Sequence, residues 1–519
     1  MFNCITGIFP IIIFIMNSRM RNLFWMAAVV LLAVFSSCSD DNKDGADEVV
    51  EAKLLTFGFY AEDNAGVLSK DYVATDISST IKIAMPALIN KSELVARFTT
   101  NEGNVVLIDG VTQVSGTTVN DFTVPVDYIV SNGKQNVKYT INVTKAANMS
   151  WKLMSKFAEK ETYGGAVLKL NPVDNTPYLA FKLRDKDAAD KQKMTVVKFD
   201  GGSWKYVGPS EGFSDGEVAS SYLDLDFDVS GTPYVAFSDN SVTTVKGAAS
   251  VMKWNGSVWS YVGNKGLIDA QSTYPHMSVL GDNDIILSQI NNSNKVSFPR
   301  RAMVVSAYKG SWQNGELPLL ASGSPVYTCD LAKANGAAYL LSINRGAVDG
   351  VNYGYSVFEY KNGVWSALLN NYLEPNATQT SIAGMDIAAF EDGTVYVLTG
   401  DDAAVKGDYR LRLRKYDPAK KEWSTVGGEH LNVPMDSHIS YAVAVAPDGT
   451  PFVVYRDIKD QNYPKVIYLD DETKQWTDPV LLPDAVEASD LNIVFSSTGI
   501  GYISFTDEEN HVLVYQYTE

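Results

Sequence analysis

A tryptophan recurs through the chain at an almost constant spacing, and this period constrains the fold more than any other feature. The gaps between seven of the nine tryptophans are 53, 55, 53, 53, 58 and 53 residues. A repeat of about 54 residues is typical of one propeller blade and is long for one coil of a solenoid. The seven positions are Trp151, Trp204, Trp259, Trp312, Trp365, Trp423 and Trp476.

Each repeat has the same internal order. A strand and a turn precede a phrase such as GTPYVAF, and a polar loop, another strand, a tight turn and the tryptophan follow. Four strands in each unit, repeated radially, predict a β-propeller. An aromatic or aliphatic position in the second strand also recurs seven times, at Tyr178, Tyr234, Ile286, Tyr339, Tyr396, Phe452 and Tyr502. We therefore predict an all-β chain with a seven-bladed β-propeller over residues 149–519.

The two ends of the repeat region predict how the ring closes. The first tryptophan, in MSWKLM, precedes the first complete set of strands, and the last repeat ends at HVLVYQYTE without a tryptophan. Residues 149–155 can therefore supply the outer strand of the blade that residues 486–519 form. A propeller closed by its N- and C-terminal strands leaves no free sheet edge to aggregate.

Residues 53–145 form a separate small domain in this interpretation. Runs such as LLTFGFY, TIKIAMP and LVARFTT alternate polar and apolar residues between turn residues, which indicates antiparallel strands of a β-sandwich. The segment DFTVPVDYIVSNGKQNVKYTINV resembles the immunoglobulin-like spacer domains of Bacteroidota-type surface lipoproteins. The resemblance implies a spacer that lifts the following domain off the membrane.

The N-terminus has the features of a secretion signal. In MRNLFWMAAVVLLAVFSSC, which ends at Cys38, a basic start precedes a short apolar run and small residues. This segment resembles a bacterial lipobox, which implies that Cys38 is acylated and becomes the first residue after cleavage. Two or three acyl chains give stable membrane anchoring. We predict a signal peptide over residues 1–38, with translation starting at Met16 or Met20. The alternative is a transmembrane helix over residues 5–35, which polar residues and arginines interrupt.

Residues 39–52 are acidic and lack aromatic residues, so they predict a flexible tether. An acidic run after the lipidated cysteine resembles the export signal of the same lipoproteins, which implies the outer membrane and a position facing the cell exterior. The net charge of −18 disfavours nucleic acids and anionic membrane surfaces as partners. We expect contact with the membrane through the lipid anchor only.

The start of each inner strand offers candidate ligand-binding residues. Tyr222, Tyr274 and Tyr327 lie near the starts of three inner strands, two residues before the ring positions given at the end of this paragraph, and their faces can stack on sugars. Carboxylates beside them can accept hydrogen bonds from sugar hydroxyls. The alternatives are a polar, water-filled mouth and a metal site built from one His, one Cys and two Asp; we predict no metal. Counting ten residues back from the second-strand position gives the ring Leu168, Asp224, His276, Cys329, Asp386, Ala442 and Asn492.

The loops between second and third strands are charged. Arg184, Arg345 and Arg456 follow the second strands of three blades. Their guanidinium groups could converge on an acidic ligand, because planar guanidinium donors match carboxylates. The alternative is that they are ordinary solvated loop residues.

Sequence motifs for catalysis are missing. The chain has four histidines and no nucleophile elbow, HExxH motif, phosphate loop or dinucleotide-binding glycine motif, so we predict no cofactor. Polysaccharide lyases with a propeller fold use His, Tyr and Arg, and His276, Tyr274 and Arg345 could take these roles. We favour a non-enzymatic surface protein that captures a glycan. The alternatives are a polysaccharide lyase or glycoside hydrolase, and a platform for protein–protein interaction.

Overall fold

The computed structural model describes most of the chain from residue 50 onward. No helix long and apolar enough to cross a bilayer occurs in this described part. The predicted signal peptide with Cys38, most of the tether, and Arg345 lie outside it. The described residues are 50–146, 149–184, 192–294, 297–321, 324–344, 354–374, 382–401, 409–431, 433, 435 and 440–518.

Nine strands, β1–β9, build the small domain as two sheets. One sheet has the order β2-β1-β4-β7 and the other the order β3-β9-β8-β5-β6, in which β3 and β9 are parallel. The strands are β1 Leu54–Phe59, β2 Tyr72–Val73, β3 Thr80–Met85, β4 Leu94–Thr100, β5 Val105–Ile108, β6 Val111–Thr112, β7 Val119–Asn120, β8 Val126–Ser131 and β9 Asn136–Lys145.

The core of the small domain follows from the alternation in its strands. In β3, every second residue is buried, because successive side chains of a strand point to opposite faces. Edge-to-face aromatic pairs fill the centre of this core, with Phe57 5.2 Å from Tyr128 and Phe59 4.8 Å from Phe122 between ring centroids.

Seven further sheets each contain four strands, and we call them blades 1 to 7 in the order of their inner strands. The strands of blades 1 to 3, from inner to outer, are β11 Glu161–Leu170, β12 Pro177–Arg184, β13 Met194–Asp200 and β14 Ser203–Tyr206; β15 Val218–Phe227, β16 Pro233–Asp239, β17 Ala248–Trp254 and β18 Trp259–Tyr261; β19 Ser272–Gly281, β20 Asp284–Asn291, β21 Met303–Tyr308 and β22 Trp312–Glu316.

Blades 4 to 6 repeat the same order, and blade 7 takes its outer strand, β10, from the start of the region. The strands, from inner to outer, are β23 Val326–Ala334, β24 Ala337–Asn344, β25 Tyr355–Lys361 and β26 Val364–Tyr372; β27 Ile382–Ala389, β28 Val395–Asp401, β29 Arg410–Asp417 and β30 Glu422–Thr425; β31 Tyr441–Val445, β32 Pro451–Asp457, β33 Tyr463–Tyr468 and β34 Val480–Leu481; β35 Ser489–Phe495, β36 Gly501–Thr506, β37 Val512–Thr518 and β10 Ser150–Phe157.

The blades follow one another around a common axis. The inner strand of each blade contacts the inner strand of the next, and β35 of blade 7 contacts β11 of blade 1. Strand β10 pairs antiparallel with β37, from Ser150 opposite Thr518 to Phe157 opposite Val512. The predicted all-β class is confirmed, and radially arranged four-stranded sheets are the architecture of a propeller.

The repeated tryptophans join neighbouring blades. Indole N–H groups of Trp259 and Trp312 donate to the carbonyl oxygens of Val207 and Val262, at 2.6 Å in both cases. Each acceptor belongs to the blade before the tryptophan. The indole ring of Trp312 also lies over Gly263, where a Cβ atom would stand 2.8 Å from Cδ1 of the ring. At Trp259 and Trp312, the repeated tryptophan therefore joins its blade to the preceding one.

The small domain packs against the ring. Residues 52–519 form one compact unit. Leu88 is buried in the apolar cluster that contains Ala446 and Phe452 of blade 6. Backbone atoms of Leu88 and Ile89 lie about 3.0 Å from where a Cβ on Gly499 of blade 7 would be.

Candidate functional site

The predicted tyrosines share one structural position. Tyr222, Tyr274 and Tyr327 each lie at the start of an inner strand, in the interval where its pairing register with the second strand shifts. Such bulges re-aim side chains at the rims of sheets and barrels. The three residues therefore point from equivalent places at the same end of the ring, which we call the tyrosine mouth.

Blade 1 contributes a fourth tyrosine that the sequence analysis missed. Tyr163 lies in the register shift between Thr162 and Ala166 of β11. Tyr163 lies four residues before Val167, the residue level with Asp224, whereas Tyr222 lies two residues before Asp224, so a fixed count from the second strand did not reach Tyr163. The ammonium group of Lys182, a buried residue, lies 4.6 Å from the centroid of the Tyr163 ring. This cation–π contact holds the ring from one side.

Exposure separates the tyrosine mouth from the rest of the molecule. Among the residues that the structure describes, the exposed large aromatic side chains are Tyr163, Tyr222 and Tyr327, at 44%, 40% and 43%. All other described aromatic side chains are buried or half-buried. Exposed aromatic groups confined to one end of a ring indicate a binding surface.

Tyr222 and Tyr274 form a pair. Their ring centroids are 4.0 Å apart with an interplanar angle of 31°, and the Tyr222 hydroxyl donates to the Tyr274 hydroxyl at 3.1 Å. Burial and the neighbouring Tyr222 hydroxyl raise the pKa of Tyr274 above its ordinary value. The backbone of Tyr274 has φ +53°, in the left-handed region that non-glycine residues rarely adopt.

Behind the tyrosines, the structure corrects the predicted ring at two of its seven positions. Strand pairing places Asp330, not Cys329, level with Asp224, His276 and Asp386. The turn between β23 and β24 has two residues, as in blade 3, but β23 lacks the extra residue of the register shift between Val279 and Gly281, so counting back from Tyr339 overshoots by one residue. Cys329 is buried instead, and its Sγ lies 3.5 Å from the carbonyl oxygen of Tyr274.

In blade 1 the counting error has the opposite sign. Val167, not Leu168, pairs with Ala180, because the turn between β11 and β12 is longer than in the other blades. Leu168 is buried in an apolar cluster with Phe181.

Asp224 and Asp386 join neighbouring blades. The carboxylate of Asp224 accepts hydrogen bonds from the N–H of Leu225 at 2.8 Å and of Met277, in the next blade, at 2.7 Å. Asp386 accepts from the N–H of Val443, also in the next blade, at 2.7 Å. Burial raises the pKa of Asp224, and burial together with neighbouring Asp330 raises the pKa of Asp386 well above its ordinary value. A direct contact with ligand stays a prediction for both.

His276 faces Asp330 rather than the tyrosine hydroxyls. Its Nδ1 lies 3.5 Å from a carboxylate oxygen of Asp330, and both side chains are 23% exposed. A histidine held against a carboxylate is oriented by it. Contact between His276 and a ligand stays a prediction.

Arg184 and Arg456 lie at or near the ends of their second strands, at the same end of the ring as the tyrosines, and Arg345 lies outside the described residues. Arg184 pairs with Glu161, with 3.4 Å between Nε and a carboxylate oxygen. Arg456 lies near the end of β32 and has an interaction partner of its own. Convergence of the three arginines on one acidic ligand stays a prediction.

One carboxylate–histidine group could be considered for a metal. Asp507, Glu509 and His511 offer ligand atoms within 4.8 Å of one another. The ammonium nitrogen of Lys156 already lies among these side chains, 2.8 Å from a carboxylate oxygen of Asp507 and 3.4 Å from one of Glu509. A lysine in that position repels a divalent cation, so these residues do not fit a metal site.

The opposite end of the ring has a different character. A hollow of about 610 Å³ is lined by residues from all seven blades and from the small domain, including Val67 and Asn90. In the lining of this hollow, the ammonium group of Lys333 lies 2.7 Å from Asp226 and donates to the carbonyl oxygens of Phe227 and Val279. Its three donors are all used, so Lys333 ties blade 4 to blades 2 and 3.

Comparison with known families adds one finding on the small domain. Residues 68–143 match the family model described as SGBP, N-terminal, the N-terminal domain of surface glycan-binding proteins. No curated protein matches the chain.

Several solved structures are similar in fold. An ulvan lyase, described as a polysaccharide lyase, is 11% identical, with 70% of this chain and 95% of that chain covered and a TM-score of 0.43. A lectin from Aleuria aurantia, in complex with α-methyl-L-fucoside, is 13% identical, with 63% and 97% covered and a TM-score of 0.35. A prolyl endopeptidase is 16% identical, with 68% and 47% covered and a TM-score of 0.42.

Proposed function

We propose that this protein is a surface glycan-binding protein that holds a glycan at the tyrosine mouth without cleaving it. The observation that carries the proposal is that, in the part of the chain that the structure describes, the exposed aromatic side chains are Tyr163, Tyr222 and Tyr327. Flat aromatic faces pack on the apolar faces of sugar rings, and such contacts are favourable because they remove apolar surface from water. The neighbouring hydroxyl groups can hydrogen-bond to the hydroxyls of the sugar.

Two further observations support this proposal. The match of residues 68–143 to the N-terminal domain of surface glycan-binding proteins favours a glycan over other ligands. The small domain packs at the other end of the ring, so it leaves the tyrosine mouth open. We further propose that the chain is anchored through acylated Cys38 to the outer membrane, with residues 39–52 as the tether.

The contacts favour binding over cleavage. In the lyase alternative, Tyr274 and His276 would act together on one substrate. The Tyr274 hydroxyl instead accepts a hydrogen bond from the Tyr222 hydroxyl, and the His276 side chain faces Asp330. The side chains that face the mouth therefore resemble a platform more than an assembled acid and base.

The test is a binding screen of residues 39–519 against polysaccharides, with mass spectrometry of every ligand that binds. We expect binding without new products. Tyr222→Ala and Tyr163→Ala should each weaken binding about fivefold or more, since a stacking contact contributes about 1 kcal/mol. Tyr222→Phe keeps the ring and should retain most of the affinity.

The control is Val364→Ala, which removes an exposed apolar side chain from outer strand β26, away from the mouth. It should leave affinity unchanged. Shortened or unsaturated products would show an enzyme, and binding that Tyr222→Ala does not weaken would place the site elsewhere. No binding to any polysaccharide would favour the protein-interaction alternative.

A further inference from the structure

Charged side chains from several blades converge on the axis behind the tyrosines. Burial by itself lowers the pKa of Lys169, in β11, but four carboxylates outweigh this effect and raise that pKa. They are Asp224, Asp226, Asp330 and Asp386, from blades 2, 4 and 5. Asp224, Asp330 and Asp386 lie at one level of the inner strands, opposite Ala236, Leu341 and Leu398, and the inner strands surround the axis.

Among the described residues of the inner strands, carboxylates outnumber ammonium groups at the level just behind the tyrosines. Lys333 neutralises Asp226, with 2.7 Å between nitrogen and oxygen. Asp224, Asp330 and Asp386 are left with Lys169 as their shared ammonium partner. Burial and the nearby Asp330 raise the pKa of Asp386, so this carboxyl group holds a proton more readily, and the excess of negative charge rests on Asp224 and Asp330.

The rim of the mouth carries a further acid. Asp490 lies in the register shift of blade 7, the position that holds tyrosines in blades 1 to 4, and it is exposed. Its side chain packs on Gly165 beside Tyr163, where a Cβ atom on the glycine would be 2.7 Å from the carboxylate carbon. A ligand stacked on Tyr163 would therefore lie next to this carboxylate.

Two described cations of blade 1 at this end, Lys182 and Arg184, already have partners. Lys182 is buried with its ammonium group 4.6 Å from the Tyr163 ring centroid, and Arg184 pairs with Glu161. An anionic ligand would have to break these contacts to obtain a counter-charge, and breaking them exposes Glu161 as another negative group.

We infer that the tyrosine mouth selects uncharged glycan chains and rejects chains with uronate or sulfate groups. The inference rests on the proposed function, since it names the class of glycan that the same site takes. A neutral sugar gains the stacking contacts at no electrostatic cost. An anionic sugar in the same place meets Asp490 at the rim and the excess of carboxylates on the axis.

The test compares matched pairs that share one backbone and differ in charge, such as methyl-esterified and de-esterified homogalacturonan, or a galactan and its sulfated form. Binding is measured at pH 8, where histidine carries little charge. In about 20 mM salt we expect the neutral member of a pair that binds to bind at least tenfold more tightly. In about 500 mM salt the ratio should shrink, because salt screens repulsion between exposed charges.

A variant of the rim isolates the electrostatic contribution. Asp490→Asn removes one charge, and asparagine tolerates the left-handed φ of +53° at this position. Affinity for the anionic member of a pair should rise about threefold, while affinity for the neutral member stays the same. The matched control is Asp484→Asn, an exposed aspartate with φ +51° in the segment between β34 and β35, which should change neither.

The outcomes separate the two proposals. Equal or tighter binding of an anionic member overturns the selectivity but supports glycan binding at the mouth, provided that Tyr222→Ala weakens it. An unchanged anionic affinity in Asp490→Asn also overturns the selectivity. If neither member of any pair binds, and no other polysaccharide binds, the proposed function is overturned and the selectivity with it.

Discussion

At the scale of single residues, Tyr274 combines a strained backbone conformation with a side chain that belongs to the candidate site. Its φ of +53° is strained for any residue with a β-carbon. At the corresponding place in β11, blade 1 has glycines, Gly164 and Gly165, with φ +79° and +87°. A tyrosine in a place suited to glycine is explained by a demand for its ring, which packs with Tyr222. Strain of this kind is concentrated at functional sites.

We predict that Tyr274→Gly and Tyr274→Ala separate the two roles of this residue. Both variants lose the ring and should lose glycan affinity to a similar extent. The glycine variant should be more stable than the alanine variant by about 1 kcal/mol, because glycine adopts the left-handed conformation without strain. Urea unfolding followed by tryptophan fluorescence measures the difference. Greater stability of the alanine variant would show that the backbone at this position is not strained.

The candidate residues could be predicted from sequence only where the whole hairpin, turn and bulge together, has the same length. Counting from the second strand placed Asp224, His276 and Asp386 at one level, because an extra residue at the register shift between Val279 and Gly281 compensates for the short turn of blade 3. It failed for Asp330, where the turn is equally short and no such shift accompanies it. It also could not show that Asp224 and Asp386 hold the next blade, since their partners are backbone groups in another repeat.

At the scale of elements, the period of the tryptophans predicted the blades, and three of these tryptophans, Trp259, Trp312 and Trp423, donate an indole N–H to a carbonyl oxygen of the preceding blade. The indole of Trp312 donates to the carbonyl oxygen of Val262 and lies over Gly263 in the preceding blade. A residue larger than glycine there would displace the indole. The same arrangement joins Trp259 to Val207 and Gly208. The strand count followed from sequence, whereas this joint required coordinates.

We predict that Gly263→Ala weakens the joint between blades 2 and 3. The new Cβ would lie 2.8 Å from Cδ1 of Trp312, which is closer than carbon atoms approach. The control is Gly310→Ala in the turn before Trp312, where φ is also positive at +86° and no atom lies within 4 Å. Both variants lose stability because alanine is strained at a positive φ, but Gly263→Ala should lower the free energy of unfolding by about 1–3 kcal/mol more, the usual range for overpacking. If chemical denaturation shows the same loss of unfolding free energy in both variants, this role of the tryptophan is contradicted.

At the scale of the whole molecule, the small domain does more than extend the chain. The sequence indicated a spacer, and nothing in its strands indicated contact with the ring. Leu88 lies in an apolar cluster of blades 6 and 7, and Lys91 has Asp448 of blade 6 among its charged neighbours. Burial lowers the pKa of Lys91 and raises that of Asp448, so both groups lie within the contact. Surface complementarity of this kind depends on the relative placement of domains, which local periodicity does not encode.

We therefore predict that Gly499→Ala loosens the small domain without unfolding the ring. Gly499 and Gly449 occupy the same turn in blades 7 and 6, with the same hydrogen bonds and with φ +78° and +88°. A Cβ on Gly499 would lie 3.0 Å from backbone atoms of Leu88 and Ile89, whereas a Cβ on Gly449 meets no atom within 4 Å. Gly449→Ala is thus the matched control for the backbone cost.

Hydrogen exchange measured by mass spectrometry on peptides that contain residues 86–91 reports the contact directly. Exchange there should be about tenfold faster in Gly499→Ala than in Gly449→Ala, which corresponds to a loss of about 1.4 kcal/mol in local stability. The small domain contains no tryptophan, so tryptophan fluorescence follows the ring alone. The two variants should have the same unfolding midpoint by fluorescence. If exchange in residues 86–91 is equally slow in both, the small domain is not held by this turn, and its packing must rest on Leu88 and the charged pair instead.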